Sequence, residues 1–282
     1  MTEIRWPSCS PGPGISLADD EVHVWSASLD HPPVSADALC ASLSDQERLR
    51  ARRWRFEKDR RRSIASRGLL RWLLAYYLDV EPGSVALRQG AQGKPALADA
   101  PRLRFSVAHS GDLVLYAFAR HDELGVDVER VRAIPDALSI AASFFAPGER
   151  DALRAVAAAG RPYAFLVYWT RKEAYVKASG VGLSHRLDSV EVSLGQGAEA
   201  SRRRIPVDSS TAADWRIHHL DPAVDFVAAL ALPNPWLRVR CRHWASAAAS
   251  SPDGRTSACA ADHLTGDAGA DKLHGEGGDD PL

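Results

Sequence analysis

Gly125-Val126-Asp127-Val128-Glu129, followed about forty residues later by Trp169-Thr170-Arg171-Lys172-Glu173-Ala174-Tyr175-Val176-Lys177-Ala178-Ser179-Gly180-Val181-Gly182-Leu183, decides how this chain is read. On a strand Asp127 and Glu129 point the same way, and Val126 and Val128 supply the opposite, buried face. On a helix Trp169, Glu173 and Lys177 lie four residues apart and share one face. Three carboxylates and one lysine therefore meet if the strand packs on the helix. Hard oxygen ligands of this kind suit Mg2+ holding a polyphosphate, with Asp127, Glu129 and Glu173 as the metal ligands. Lys177 is left for the charge that develops when a phosphate bond breaks. Glu173 and Lys177 are the candidate catalytic residues, the first to take a proton from an incoming hydroxyl, the second to neutralise or protonate the departing phosphate. Trp169 is expected to pack and aim the helix rather than touch a ligand.

Working outward, Glu21 to Ala27 alternates as a first strand. Ser44-Asp45-Gln46-Glu47 has the form of a capping box and predicts a helix behind it. A second helix is expected over 59–78, with Ile64, Leu69, Leu70, Trp72, Leu73, Leu74 and Tyr77 on a broad apolar face. Strands are expected at 103–107, 113–119 and 124–129, then helices opening at Pro147 and spanning 163–178. Further strands follow at 189–194, 215–220, 225–232 and 236–244. The order of a helix and then several strands occurs twice, which predicts an α+β protein of two similar halves, 19–124 and 125–245, packed face to face. A flexible arm (1–18) and an acidic Gly/Asp-rich tail (246–282) flank them. The tail looks like Gly/Asp calcium repeats but has too few turns to stack, so it reads as disordered.

Composition is ordinarily globular, with 45% hydrophobic and 25% charged residues in 282. No run approaches about 20 apolar residues, and Met1 to Ser16 offers Pro and Ser in place of a basic segment and apolar core. The expectation is therefore no membrane span, no leader and a cytoplasmic address. Cys9, Cys40, Cys241 and Cys259 are far apart, in no zinc spacing, and read as free thiols. The net charge of −1 is uneven, since the tail carries −5 and leaves the body at +4, a balance suited to a compact polyanion. Nine Lys/Arg lie between Arg48 and Arg62, but Trp54 and Phe56 sit among apolar positions expected to enter the core rather than to stack on bases, so no nucleic acid is expected.

The strand and helix motifs, with Gly93-Lys94-Pro95 and Phe105-Ser106-Val107-Ala108-His109-Ser110 in order between the basic segment and the acidic strand, resemble the 4'-phosphopantetheinyl transferases, specifically the larger surfactin-synthetase-activator type. That resemblance covers about residues 20–245. It implies a pseudo-dimer with coenzyme A in the cleft between the halves, a phosphopantetheine arm moved to an apo acyl or peptidyl carrier protein, and a monomer. It implies that Arg50, Arg62 and His109 grip the 3'-phosphate, that Lys94 meets the adenine end and that Lys177 serves the pyrophosphate. Two departures stand out: Ser106 replaces the family's Asn, and Ala108 replaces a serine, removing a hydroxyl that could bond phosphate at a cost of about 1 kcal/mol. A carrier-docking patch is expected over 136–158, with Phe144 or Phe145 exposed. The alternatives are a metal-dependent hydrolase, for which no separate water-activating base is seen, and a non-catalytic binder of coenzyme A or carrier protein, which would be expected to have lost a metal ligand.

Overall fold

Apolar alternation along the strands builds two main sheets, each with one face under a helix and the other face against its counterpart. The computed structural model describes residues 6–90, 94–100, 102–180, 187–195, 215–233 and 236–245. The chain runs β1 (Ser8–Cys9), β2 (Glu21–Ser28), α1 (Ala36–Ser42), α2 (Asp45–Ala51), α3 (Glu57–Leu78), β3 (Leu87–Gln89), β4 (Pro95–Leu97), β5 (Leu103–Ser110), β6 (Leu113–Arg120) and β7 (Gly125–Arg130). It continues through α4 (Ala137–Phe144), α5 (Pro147–Ala155), α6 (Arg161–Ser179), β8 (Arg216–Leu220), β9 (Phe226–Leu232) and β10 (Arg238–Trp244). The architecture is α+β, as expected. Gly93, Val181 to Leu183 and the acidic tail lie outside the described residues.

Local chemistry explains the helix boundaries. Ser44 forms the expected capping box: its Oγ accepts from Glu47 N (3.3 Å) and its own N–H donates to Glu47 Oε2 (2.8 Å). Helix α6 ends at Gly180, whose φ of 68° only glycine adopts at little cost.

Among the described residues the first and largest sheet has strand order β1-β10-β2-β6-β5 and the second β7-β9-β8, while β3 and β4 pair separately as an antiparallel two-stranded ribbon. Helix α3 covers one face of the first through Leu69, Leu73, Trp25, Tyr116 and Phe118. Helix α6 covers the second through Phe165, Tyr168, Tyr175, Val227 and Ala229. Between the sheets a third cluster holds Val22, Val24, Leu115, Val126, Val128 and Leu230. Each half thus repeats a helix on an antiparallel three-stranded core, β2-β6-β5 and β7-β9-β8.

Four expectations need correction. Trp54 and Phe56, expected in the core, are 38% and 62% exposed, because they fall in the connection between α2 and α3 rather than on a helix face. No strand forms over 189–194; a 3-10 turn (Leu187–Ser189) leads into irregular backbone. Its carbonyls are taken by side chains of α6: Lys172 donates to Leu187 O (2.8 Å) and Val190 O, and Arg171 to Ser193 O and Gly195 O (3.1 Å). Strand β10 starts two residues later than expected, at Arg238, and inserts in parallel beside β2, in register from Arg238 opposite Glu21 to His243 opposite Ser26, so it completes the sheet of the first half. Cys9 and Cys241 are free thiols, but Cys40 is not.

Candidate active site

Asp127 and Glu129 alternate with the seam residues Val126 and Val128, so their carboxylates face α6. Gly125 lets the helix come close: a Cβ there would lie 1.9 Å from Ala174 O and 2.5 Å from Ala178 N. The close approach delivers the Lys177 ammonium to Asp127 Oδ1 at 2.8 Å. Glu173, one turn earlier, and Glu129 act on the same ammonium electrostatically. Burial works against its charge, yet Asp127, Glu173 and Glu129 together hold Lys177 above its ordinary range. Asp127 is 7% exposed, and burial, partly offset by Lys177, pushes its carboxyl up to about 6.

Three carboxylates against one lysine leave a surplus of negative charge. Asp127 Oδ2 is buried with no hydrogen-bond partner among the described residues, an acceptor whose chemistry suits a cation. As they stand, no three His, Cys, Asp or Glu side chains among the described residues are grouped closely enough to hold a metal ion. The donor types and the open oxygen fit Mg2+.

Glu129 is held from two sides, by Ser110 Oγ donating to its Oε2 (2.9 Å) and by Arg132 Nη1 (3.3 Å). Ser110 Oγ also accepts from Arg130 N (3.1 Å), and Ser106 Oγ accepts from Val126 N (3.1 Å). Ala108, between them on the same face of β5, is 5% exposed and belongs to the apolar seam. A hydroxyl at that position would enter the seam, so the departure from the family pattern removes no solvent-facing donor. His109 alternates outward and is exposed at the strand end.

Beside the helix end lies a cleft of about 450 Å³, lined among others by Arg88, Lys94, Pro95, Phe105, Ser179 and Gly180. Lys94 lines this cleft, and its ammonium donates to Leu124 O (3.1 Å) and Lys177 O (3.0 Å), tying the loop to the carboxyl end of α6. Burial lowers its pKa. Arg62 on α3 makes a two-pronged pair with Asp30, both bonds 2.7 Å, and feels Asp112 in the turn after Ser110. Arg50 is half-buried in the last turn of α2.

Trp169 stacks on Phe165 (5.9 Å between ring centres) and meets Phe144 edge-on (6.1 Å), the packing role expected. Phe144 is 43% exposed, whereas Phe145 is fully buried against Phe165 and beneath Lys172, so only the first belongs to the surface.

The residue that sequence reasoning passed over is Lys172. It is fully buried and pairs at 2.7 Å with Glu149, itself the capping residue of α5. Glu149 Oε1 also accepts from Val192 N (2.7 Å). One ion pair thus fixes α6, the start of α5 and segment 187–192 together. A visible signal existed: Lys172 falls four residues after Tyr168 and three before Tyr175, on the apolar face.

Comparison with known proteins agrees with this geometry. Residues 123–231 match a family model described as the 4'-phosphopantetheinyl transferase superfamily, and residues 29–121 match one described as 4'-phosphopantetheinyl transferase, N-terminal. The chain is 38% identical over 223 residues to the 4'-phosphopantetheinyl transferase HetI of Nostoc sp., covering 78% of this chain and 91% of that protein. It is 29% identical to the 4'-phosphopantetheinyl transferase Sfp of Bacillus subtilis, covering 68% of this chain and 84% of that protein. With the human L-aminoadipate-semialdehyde dehydrogenase-phosphopantetheinyl transferase it shares 26% identity over 72% of each chain.

Proposed function

The chain belongs to the 4'-phosphopantetheinyl transferase superfamily, and from that membership we propose that it moves the phosphopantetheine arm of coenzyme A to a serine of an apo acyl or peptidyl carrier protein, with Mg2+, releasing adenosine 3',5'-bisphosphate. It is an enzyme of the phosphopantetheinyl transferase class. The observation that carries the proposal is the Asp127–Lys177 pair, with Glu129 and Glu173 in electrostatic reach, one turn from the cleft that Lys94 lines.

In this reading the adenine end of coenzyme A enters the cleft past Lys94 and Pro95, and His109, Arg62 and Arg50 take the 3'-phosphate. Asp127, Glu129 and Glu173 would hold Mg2+, which when bound neutralises charge on the pyrophosphate. The carrier's serine oxygen bonds to the β-phosphorus as the bridging oxygen to the α-phosphorus departs. Glu173 receives the serine proton. Lys177 supplies positive charge to the departing phosphate. Positioning and electrostatics carry most of such a transfer, and the nucleophile belongs to the partner. The +4 body favours encounter with an acidic carrier, and exposed Phe144 beside Trp169 is the contact we assign to it. A cytoplasmic monomer is the matching proposal for address and assembly, because one chain supplies both halves; among the described residues no helix is long and apolar enough to cross a membrane.

Intact-mass spectrometry of an apo carrier protein incubated with the enzyme, coenzyme A and Mg2+ tests this. The expected result is a mass gain of one phosphopantetheine, absent with Glu173→Gln. No gain on several unrelated carriers, with coenzyme A still bound, would replace the proposal with that of a non-catalytic binder.

A further inference from the structure

Among the described residues strand β7 is paired with β9 along one edge only, and β5 lies beside its other edge without a shared backbone ladder. Two serines on β5, four residues apart, face two amide groups on β7, also four apart: Ser106 Oγ takes Val126 N–H and Ser110 Oγ takes Arg130 N–H, each at 3.1 Å. These amides bracket Asp127 and Glu129. Ser110 goes further, since the hydroxyl that accepts from Arg130 donates its proton to Glu129 Oε2 at 2.9 Å. Its donor and one acceptor position are thereby committed to β7. We infer that Ser106 and Ser110 are positioning residues: the two hydroxyls replace the missing ladder across the seam, fix the register of β7 against the first half, and aim the Glu129 carboxylate toward the cation site.

The inference rests on the metal reading of Asp127, Glu129 and Glu173. It gives the departure at Ser106 a use, because a short hydroxyl reaches the Val126 amide within the buried seam, where Ser106 is itself buried. It also separates Ser110 from its neighbour His109: the histidine faces outward toward the proposed phosphate, while the serine serves the protein's own carboxylate. Outer partners of this kind orient ligands, and losing one typically weakens metal binding by about 10–100-fold.

The test combines three readouts on Ser106→Ala, Ser110→Ala and Ser110→Thr. Amide hydrogen exchange, read without any cofactor, is expected to speed at Val126 in the first and at Arg130 in the second. Mn2+ affinity, measured by calorimetry with coenzyme A present, is expected to fall about tenfold in Ser110→Ala and to recover in Ser110→Thr. The KM for coenzyme A is expected to stay within about twofold while kcat falls. Unchanged exchange at both amides would overturn the clip. Faster exchange with unchanged Mn2+ affinity would overturn the positioning role, and a raised coenzyme A KM with intact Mn2+ binding would make Ser110 a phosphate contact instead. Wild-type protein that takes up no Mn2+ would refute the metal reading and the aiming role with it, while the exchange data judge the clip alone.

Discussion

Replacing Gly125 by Ala should damage the active site without touching a single charged group. The added Cβ would sit 1.9 Å from Ala174 O and 2.5 Å from Ala178 N, both backbone atoms of α6 that no rotamer change can move aside. For the carbonyl to regain ordinary contact distance, the helix must retreat by about 1.5 Å. Overpacking of this kind costs about 1–3 kcal/mol, and in a protein of this size each kcal/mol lowers Tm by roughly 2–4 °C. Because the retreat carries Lys177 away from Asp127, the larger loss should be catalytic, about 100-fold in kcat/KM, as expected for an ångström-scale misplacement. Urea unfolding and a carrier-modification assay, run beside Gly83→Ala, where nothing lies within 4 Å of the new methyl, measure the two effects. If Gly125→Ala keeps both its unfolding midpoint and its kcat/KM within twofold of wild type, close packing of β7 on α6 is not what builds the site.

Lys172→Met strands a buried Glu149 and should cost about 3–5 kcal/mol by urea unfolding, whereas the double variant with Glu149→Gln should recover part of that loss; additive costs would deny the coupling. Arg62→Ala and His109→Ala should raise the KM for coenzyme A about tenfold and leave that for dephospho-coenzyme A unchanged, a hydrogen bond to a charged group being worth about 1.5–3 kcal/mol; equal effects on both substrates would remove the 3'-phosphate assignment. Phe144→Ala should raise the carrier's KM and spare that of coenzyme A, and the reverse would place docking elsewhere. Burial depresses His23 and His218 to about 4. Between the ordinary histidine range near 6.5 and that value, the unfolded chain binds protons that the fold refuses, so stability is intact above the window and falls as pH drops through it. Each histidine contributes a slope of up to roughly 1.4 kcal/mol per pH unit, and urea midpoints of His218→Asn from pH 7 to 4.5 should fall less steeply than wild type.

What was legible in the sequence was local or periodic. The alternation Val126, Asp127, Val128, Glu129 named its two faces, and the Ser44 capping box formed as read, because both depend on residues a few positions apart. The segment 189–194 alternated like a strand, yet its carbonyls were claimed by Arg171 and Lys172 from α6, a competition that only tertiary contact reveals. Lys172 itself went unassigned because a lysine on a helix ordinarily reaches water, and nothing nearby in sequence announces Glu149. Arg62 shows the other gap: its position matched the family pattern, but its fork is filled by Asp30, thirty-two residues away, so in the proposed function substrate must compete with an internal carboxylate.

The insertion of β10 beside β2 has a consequence for how the protein is made. Glu21–Ser28 leaves the ribosome early, but its parallel neighbour Arg238–Trp244 follows more than two hundred residues later. At 5–20 residues per second that delay is roughly 10–40 s, during which one edge of β2 lacks its final partner. The first half therefore cannot finish before the second, and the nascent sheet is open to wrong strand partners for that interval. Cutting the gene between the two halves would yield an N-terminal fragment with this wait made permanent, prone to aggregate however well its helices form.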